Sequence, residues 1–132
     1  MYGKQPAFFI VFFVVILMLL SGCNDKTFSL DSGRYVPDYT KDEKDINIVP
    51  YIFIDKDKFS IIQDIAVSYQ PSGTLIRKGN EVVMETVFAD ESYKWVFTLV
   101  DNNKLKFVLK KSVIPNNHFE WEDGRLFSLT DE

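Results

Sequence analysis

From Tyr93 to Leu109 the large apolar residues fall on every second position. Tyr93, Trp95, Phe97 and Leu99 alternate with Lys94, Val96 and Thr98. Leu105, Phe107 and Leu109 alternate with Lys104, Lys106 and Lys110. Successive side chains of a strand point to opposite faces, so this pattern specifies strands with one buried and one wet side. Asp101-Asn102-Asn103 lies between the two runs and has turn composition, which predicts a β-hairpin. No segment after the first two dozen residues shows a convincing 3.6-residue period.

The same reading extends along the chain. Thr27–Leu30 reads as strand, and Ser32-Gly33 separates Phe28–Leu30 from Tyr35–Val36. Ile46–Ile54 is a longer apolar strand, bulged or at an edge where Pro50 removes a donor. Asp55-Lys56-Asp57-Lys58 turns it into Phe59–Ile62. Gly79-Asn80 links a strand at Thr74–Arg77 to one at Val82–Val87, and Leu126–Leu129 closes the series. Gln63–Tyr69 alternates poorly and could hold one helical turn, while Lys41-Asp42-Glu43-Lys44-Asp45 reads as a solvated loop. About eight or nine short strands with hairpin connections favour antiparallel neighbours. Closure removes exposed edges, so the expected fold is all-β, a small antiparallel up-and-down barrel of about eight strands. A two-sheet sandwich is the alternative. Eight Phe, five Tyr and two Trp beyond residue 22 predict a mostly filled interior, since a barrel of this size holds side chains or one small ligand.

An apolar run, Ala7 to Leu20, follows a short stretch carrying Lys4 and ends in Leu20-Ser21-Gly22-Cys23. The run suits the core of a secretory signal and is short for a membrane span, which needs roughly 20 apolar residues. The four-residue ending has the pattern of a bacterial lipobox. Small side chains admit a membrane-embedded peptidase to extended backbone, and the thiol accepts a diacylglyceryl group as a thioether. The expectation is a signal peptide and signal helix over residues 1–22, a lipidated tether over 23–26 and an extracytoplasmic all-β domain over 27–132. Cys23 is then the lipidated first residue of the processed chain, held at the membrane by acyl chains. It is the only cysteine, so no disulfide is available and the fold rests on packing.

Removal of residues 1–22 leaves 110 residues, enough for one modest core. Lys4 leaves with them, so 14 Lys and Arg face 19 Asp and Glu, a formal charge of −5. That balance gives no electrostatic footprint for nucleic acid. Few residues offer chemistry. His118, the only histidine, stands at alternate positions with Glu120 and Glu122; these could ligate a metal, but Asn116-Asn117 and Asp123-Gly124 around them favour a solvated loop. Asp55 and Asp57 resemble the start of a calcium loop, but Phe59 and the missing glycine make them turn residues. Metalloprotease, serine-hydrolase and nucleotide-binding motifs are absent. No catalytic residue, metal site or cofactor is therefore expected. Tyr35, Tyr39, Tyr69 and Trp121 lie near predicted strand ends, where they are either candidates for a binding surface or the rim of the core.

Pro50-Tyr51-Ile52, Phe59-Ser60, Ser68-Tyr69-Gln70-Pro71-Ser72-Gly73-Thr74, Tyr93-Lys94-Trp95-Val96-Phe97, Leu105-Lys106-Phe107, Ser112 and Asp123-Gly124-Arg125-Leu126-Phe127 together resemble a small extracytoplasmic domain of Gram-positive bacteria. That domain occurs as stand-alone lipoproteins and as an outer module of membrane metallopeptidases of the β-lactam-sensor type. The resemblance spans most of Gly33 to Leu129. Val67-Ser68-Tyr69 stands where the family more often has two serines before the tyrosine. The Ser-x-x-Lys motif of β-lactam binding is absent, so the resemblance does not imply antibiotic sensing. Likeness to lipocalin-type (calycin) barrels is one of fold alone. The expected role is that of a non-catalytic accessory or interaction module at the cell envelope, anchored to the membrane and meeting an envelope protein. A calycin-type carrier of a small apolar ligand is the first alternative, and a metal-dependent enzyme the second.

Overall fold

The computed structural model of the chain describes residues 26–38, 51–62, 70–115 and 121–131. Eight strands run in chain order: β1 (Gly33–Pro37), β2 (Tyr51–Asp55), β3 (Lys58–Ile62), β4 (Ser72–Lys78), β5 (Glu81–Phe88), β6 (Glu91–Asp101), β7 (Lys104–Phe107) and β8 (Leu126–Leu129). Each pairs antiparallel with the next, and β8 returns to β1 with Tyr35 opposite Leu129 and Pro37 opposite Phe127. The result is a closed up-and-down barrel, the fold the alternation predicts. Closure gives the first and last strands a partner on both sides, which removes the two bare edges of an open sheet.

Most of the period-two positions within the strands point to the axis. Tyr35, Ile52, Ile54, Phe59, Ile61, Leu75, Val82, Met84, Trp95, Phe97, Leu99, Leu105, Phe107 and Phe127 are buried in one cluster. Trp121 joins them from the segment before β8 and packs on Phe107 at 5.0 Å and on Phe127 at 5.7 Å between ring centroids. Phe97 meets Phe107 at 5.5 Å from the facing position across β6–β7. Tilted and stacked ring contacts of this kind add to the area that each aromatic buries. They occupy the barrel axis with side chains.

Every hairpin turn among the described residues contains left-handed backbone, with Gly79 in β4–β5 and Ala89 and Asp90 in β5–β6. Lys56 and Asn103, at the tips of β2–β3 and β6–β7, have φ of 56° and 55°. Asn tolerates that region better than most residues. The pairing of β6 with β7 shifts between Leu99 and Asp101, a bulge that leaves Val100 exposed on the outer wall.

Three expectations fail in informative ways. Thr27–Leu30 is extended but joins no strand ladder, because its backbone donors are taken by side chains of the hairpin tips. β7 ends at Phe107, and Leu109 sits in a short 3-10 turn, Leu109–Lys111, with its side chain exposed. The chain leaves the ladder there to cross back over the outside of β6. Val96, outward by alternation, is consequently buried at 3 % exposure. The expected strand over Ile46–Pro50, the turn at Gln63–Tyr69, the loop at 41–45 and the signal helix lie outside the described residues.

Candidate functional site

The β2–β3, β4–β5 and β6–β7 turns, the start of β1 and the end of β8 share one end of the barrel. Residues 26–32 cross this end. Phe28 and Leu30 point inward and pack against the core, while Thr27 and Ser29 are exposed. An extended segment laid over a barrel mouth has backbone groups that need partners away from water. Asparagine is suited to the task, offering an acceptor and two donors on a short stem.

Two of the three tips supply such partners. Asn80 Oδ1 accepts from the Phe28 amide at 3.0 Å, and its Nδ2 donates to the Lys26 carbonyl at 2.7 Å. Asn102 Oδ1 accepts from the Ser29 amide at 3.0 Å, and Asn103 Oδ1 from the Asp31 amide at 2.7 Å. The Asn103 amide donates back to the Ser29 carbonyl at 2.8 Å. Arg77 donates to the Phe28 carbonyl and, through Nε, to the Gly79 carbonyl at 2.8 Å. The Ser32 hydroxyl accepts from the Lys56 amide at 3.0 Å, so the third tip is tied as well.

Beneath this strap sits Tyr35. Its hydroxyl donates to the Asp31 carbonyl at 2.7 Å, with Asn103 Oδ1 at 3.3 Å. Burial pushes its pKa up to about 12, and the negative charge of Asp31 adds to the rise. The positive charge of Arg77 acts in the opposite direction. The surroundings thus favour the neutral phenol.

A second concavity lies on the outer wall towards the opposite end. It has a volume of about 680 Å³ and is lined by β4, β5, β6 and Val113, with Thr74, Glu85, Ser92, Tyr93 and Lys94 among its side chains. Gly73 forms its floor, since a Cβ there would stand 2.0 Å from the Glu85 carbonyl oxygen. The segment after β7 makes its far wall: Lys94 and Val113 exchange backbone hydrogen bonds at 2.8 and 2.9 Å. Ser112 Oγ holds that segment, accepting from the Val96 amide at 2.9 Å and donating to the Val108 carbonyl at 2.8 Å. One carboxylate, one ammonium and several hydroxyls make a neutral groove with no concentrated charge.

The residues singled out in the sequence are dispersed. Tyr35 is fully buried under the strap, and Trp121 is 6 % exposed in the aromatic cluster; both belong to the core and present no open face. Tyr39 and Tyr69 lie outside the described residues, as do Leu20, Ser21, Gly22 and Cys23. So do His118 and Glu120. Glu122 is exposed and pairs with Arg125 at 2.5 Å. Asp55 and Asp57 are exposed at the β2–β3 turn. Among the described residues no group of three or more His, Cys, Asp or Glu could hold a metal ion, and no helix is long and apolar enough to cross a membrane. The residues that sequence reasoning missed are Asn80, Asn102, Asn103 and Arg77. They read as ordinary turn and strand residues, and only the recurrence of asparagine at two hairpin tips hinted at a shared task.

Comparison with known protein families, curated proteins and solved structures finds no match to this chain.

Proposed function

We propose that this chain is a bacterial lipoprotein of the cell envelope, its barrel a non-catalytic accessory or interaction module held at the extracytoplasmic face by acyl chains on Cys23. The observation that carries this reading is the Leu20-Ser21-Gly22-Cys23 sequence at the end of an apolar run. Acylation at one point suits a protein whose job is to stay near the membrane and meet other envelope components. The resemblance to extracytoplasmic lipoprotein domains points the same way. Aromatic side chains along the barrel axis favour an interaction module over a carrier of apolar ligands, which needs that space. The test is Cys23→Ala in the full chain. The variant is expected either to leave the membrane fraction or to remain an unprocessed precursor, while mass spectrometry of the parent finds a diacylglyceryl adduct on Cys23. A fully processed variant that still partitions with membranes would sink the proposal.

A further inference from the structure

We infer that the strapped end of the barrel is a membrane-facing surface, with the hairpin tips at Asp55–Lys58, Lys78–Glu81 and Asp101–Lys104 lying against phospholipid headgroups. The inference rests on the lipid anchor proposed above and adds an orientation to it. Lys26 follows Cys23 by three positions. Three residues span at most about 10 Å, so the acylated residue stays within that reach of Lys26.

Short reach alone would still let a domain tumble about its tether. Here the hold begins at Lys26 itself, whose carbonyl accepts from Asn80, and continues through Phe28, Ser29, Asp31 and Ser32 onto three hairpin tips. Acyl chains in the bilayer therefore pull on a segment fastened across one whole end of the barrel. The other end, with the β5–β6 turn and the ends of β1, β3 and β7, is turned towards the envelope.

The charge of the strapped end fits this placement. The processed chain carries a formal charge of −5, and a surface that concentrated it would be repelled by anionic lipid. The tips instead interleave Lys56, Lys58, Lys78 and Lys104 with Asp55, Asp57, Glu81 and Asp101. Mixed charges of this kind can face the phosphate and amine groups of a headgroup layer without net repulsion.

Because acylation consumes the only native thiol, one added cysteine takes a dye uniquely. Asp57→Cys marks the strapped end and Ser92→Cys the opposite one; both positions are exposed. The strand β6 covers Glu91–Asp101, which at about 3.3 Å per residue and typical barrel tilt separates the ends by roughly 25–30 Å. The full chain, processed in a bacterial host and shown by mass to be acylated, is placed in vesicles of phosphatidylglycerol and phosphatidylethanolamine that carry a headgroup acceptor dye. Energy transfer from position 57 is expected to exceed that from position 92 several-fold. Equal transfer, or greater transfer from position 92, in acylated protein overturns the orientation and leaves the anchor standing. Absence of acyl mass on Cys23 overturns the anchor, and the orientation with it. Adding Asn80→Ala and Asn103→Gly is expected to narrow the difference while acylation and near-ultraviolet dichroism are unchanged. A full difference retained in that variant would show that the strap does not set the orientation.

Discussion

The hydroxyl of Tyr35 donates to the carbonyl of Asp31 at 2.7 Å, so the first strand's innermost side chain holds the segment that covers the barrel mouth. A phenolate could not make that bond, and it would face the negative charge of Asp31 from inside the core. Tyr35 has its pKa raised from 10.0 to about 12. The unfolded chain therefore ionises first as pH rises. The contribution is fully present below about pH 10 and is lost between about pH 10 and 12, on the order of 2 kcal/mol in all. Denaturant unfolding of the parent and of Tyr35→Phe across that range checks it. The stability difference between the two is expected to fall with rising pH, and a constant difference would contradict the coupling.

The strap makes a local prediction. Asn103→Gly keeps the positive φ of the turn, 55°, but removes the side-chain bonds to the Asp31 amide and carboxylate. A loss of about 1–2 kcal/mol is expected from vacated partners of this type. Amide exchange at Asp31 and Ser29 is expected to accelerate more than exchange at β5 or β6. Uniform acceleration would mean that the strap unfolds only with the whole barrel.

At the centre of the barrel, Phe107 has no exposed surface and touches both Phe97 and Trp121. Phe107→Ala is expected to cost roughly 3–5 kcal/mol in denaturant unfolding. A loss under about 1 kcal/mol would mean that the ring is not part of the packed cluster.

Gly73 tests backbone approach and not packing. It stands opposite Phe59, and any Cβ would lie 2.0 Å from the Glu85 carbonyl oxygen. Gly73→Ala forces β4 away from β5, and a loss of at least about 2 kcal/mol is expected. Gly79→Ala is the comparison, since a Cβ there meets nothing within 4 Å although its φ is +58°. A smaller loss at position 73 than at position 79 would contradict the close approach.

The strands and the inward face were legible because alternation and burial report the same physical event. Trp95, Phe97, Leu105 and Phe107 could be assigned to one face from spacing alone, and the turns at Asp55–Lys58 and Asp101–Asn103 from composition. Val96 could not: its burial comes from a segment that crosses outside the sheet, and alternation carries no information about what covers the outer face. Phe28 and Leu30 misled for a related reason. They alternate because they plug a round opening, and period two cannot tell a plug from a strand. The strap was invisible because its four asparagine and arginine partners meet the segment from more than forty positions away in sequence, where no local pattern records the contact.

The pairing of Tyr35 with Leu129 joins opposite ends of the described chain. Every other strand pair is sequential and can form as the chain emerges, but this one must wait for residues 126–129. Until they arrive, β1 and β7 each present a bare ladder, the state in which sheets recruit strands from other molecules. Under the proposed acylation of Cys23, the chain would spend that interval confined beside its neighbours at the membrane. Acceptance of β8 by β1 is thus the step that separates a self-contained domain from one open to exchange, and loss of the last few residues would reopen both seams at once.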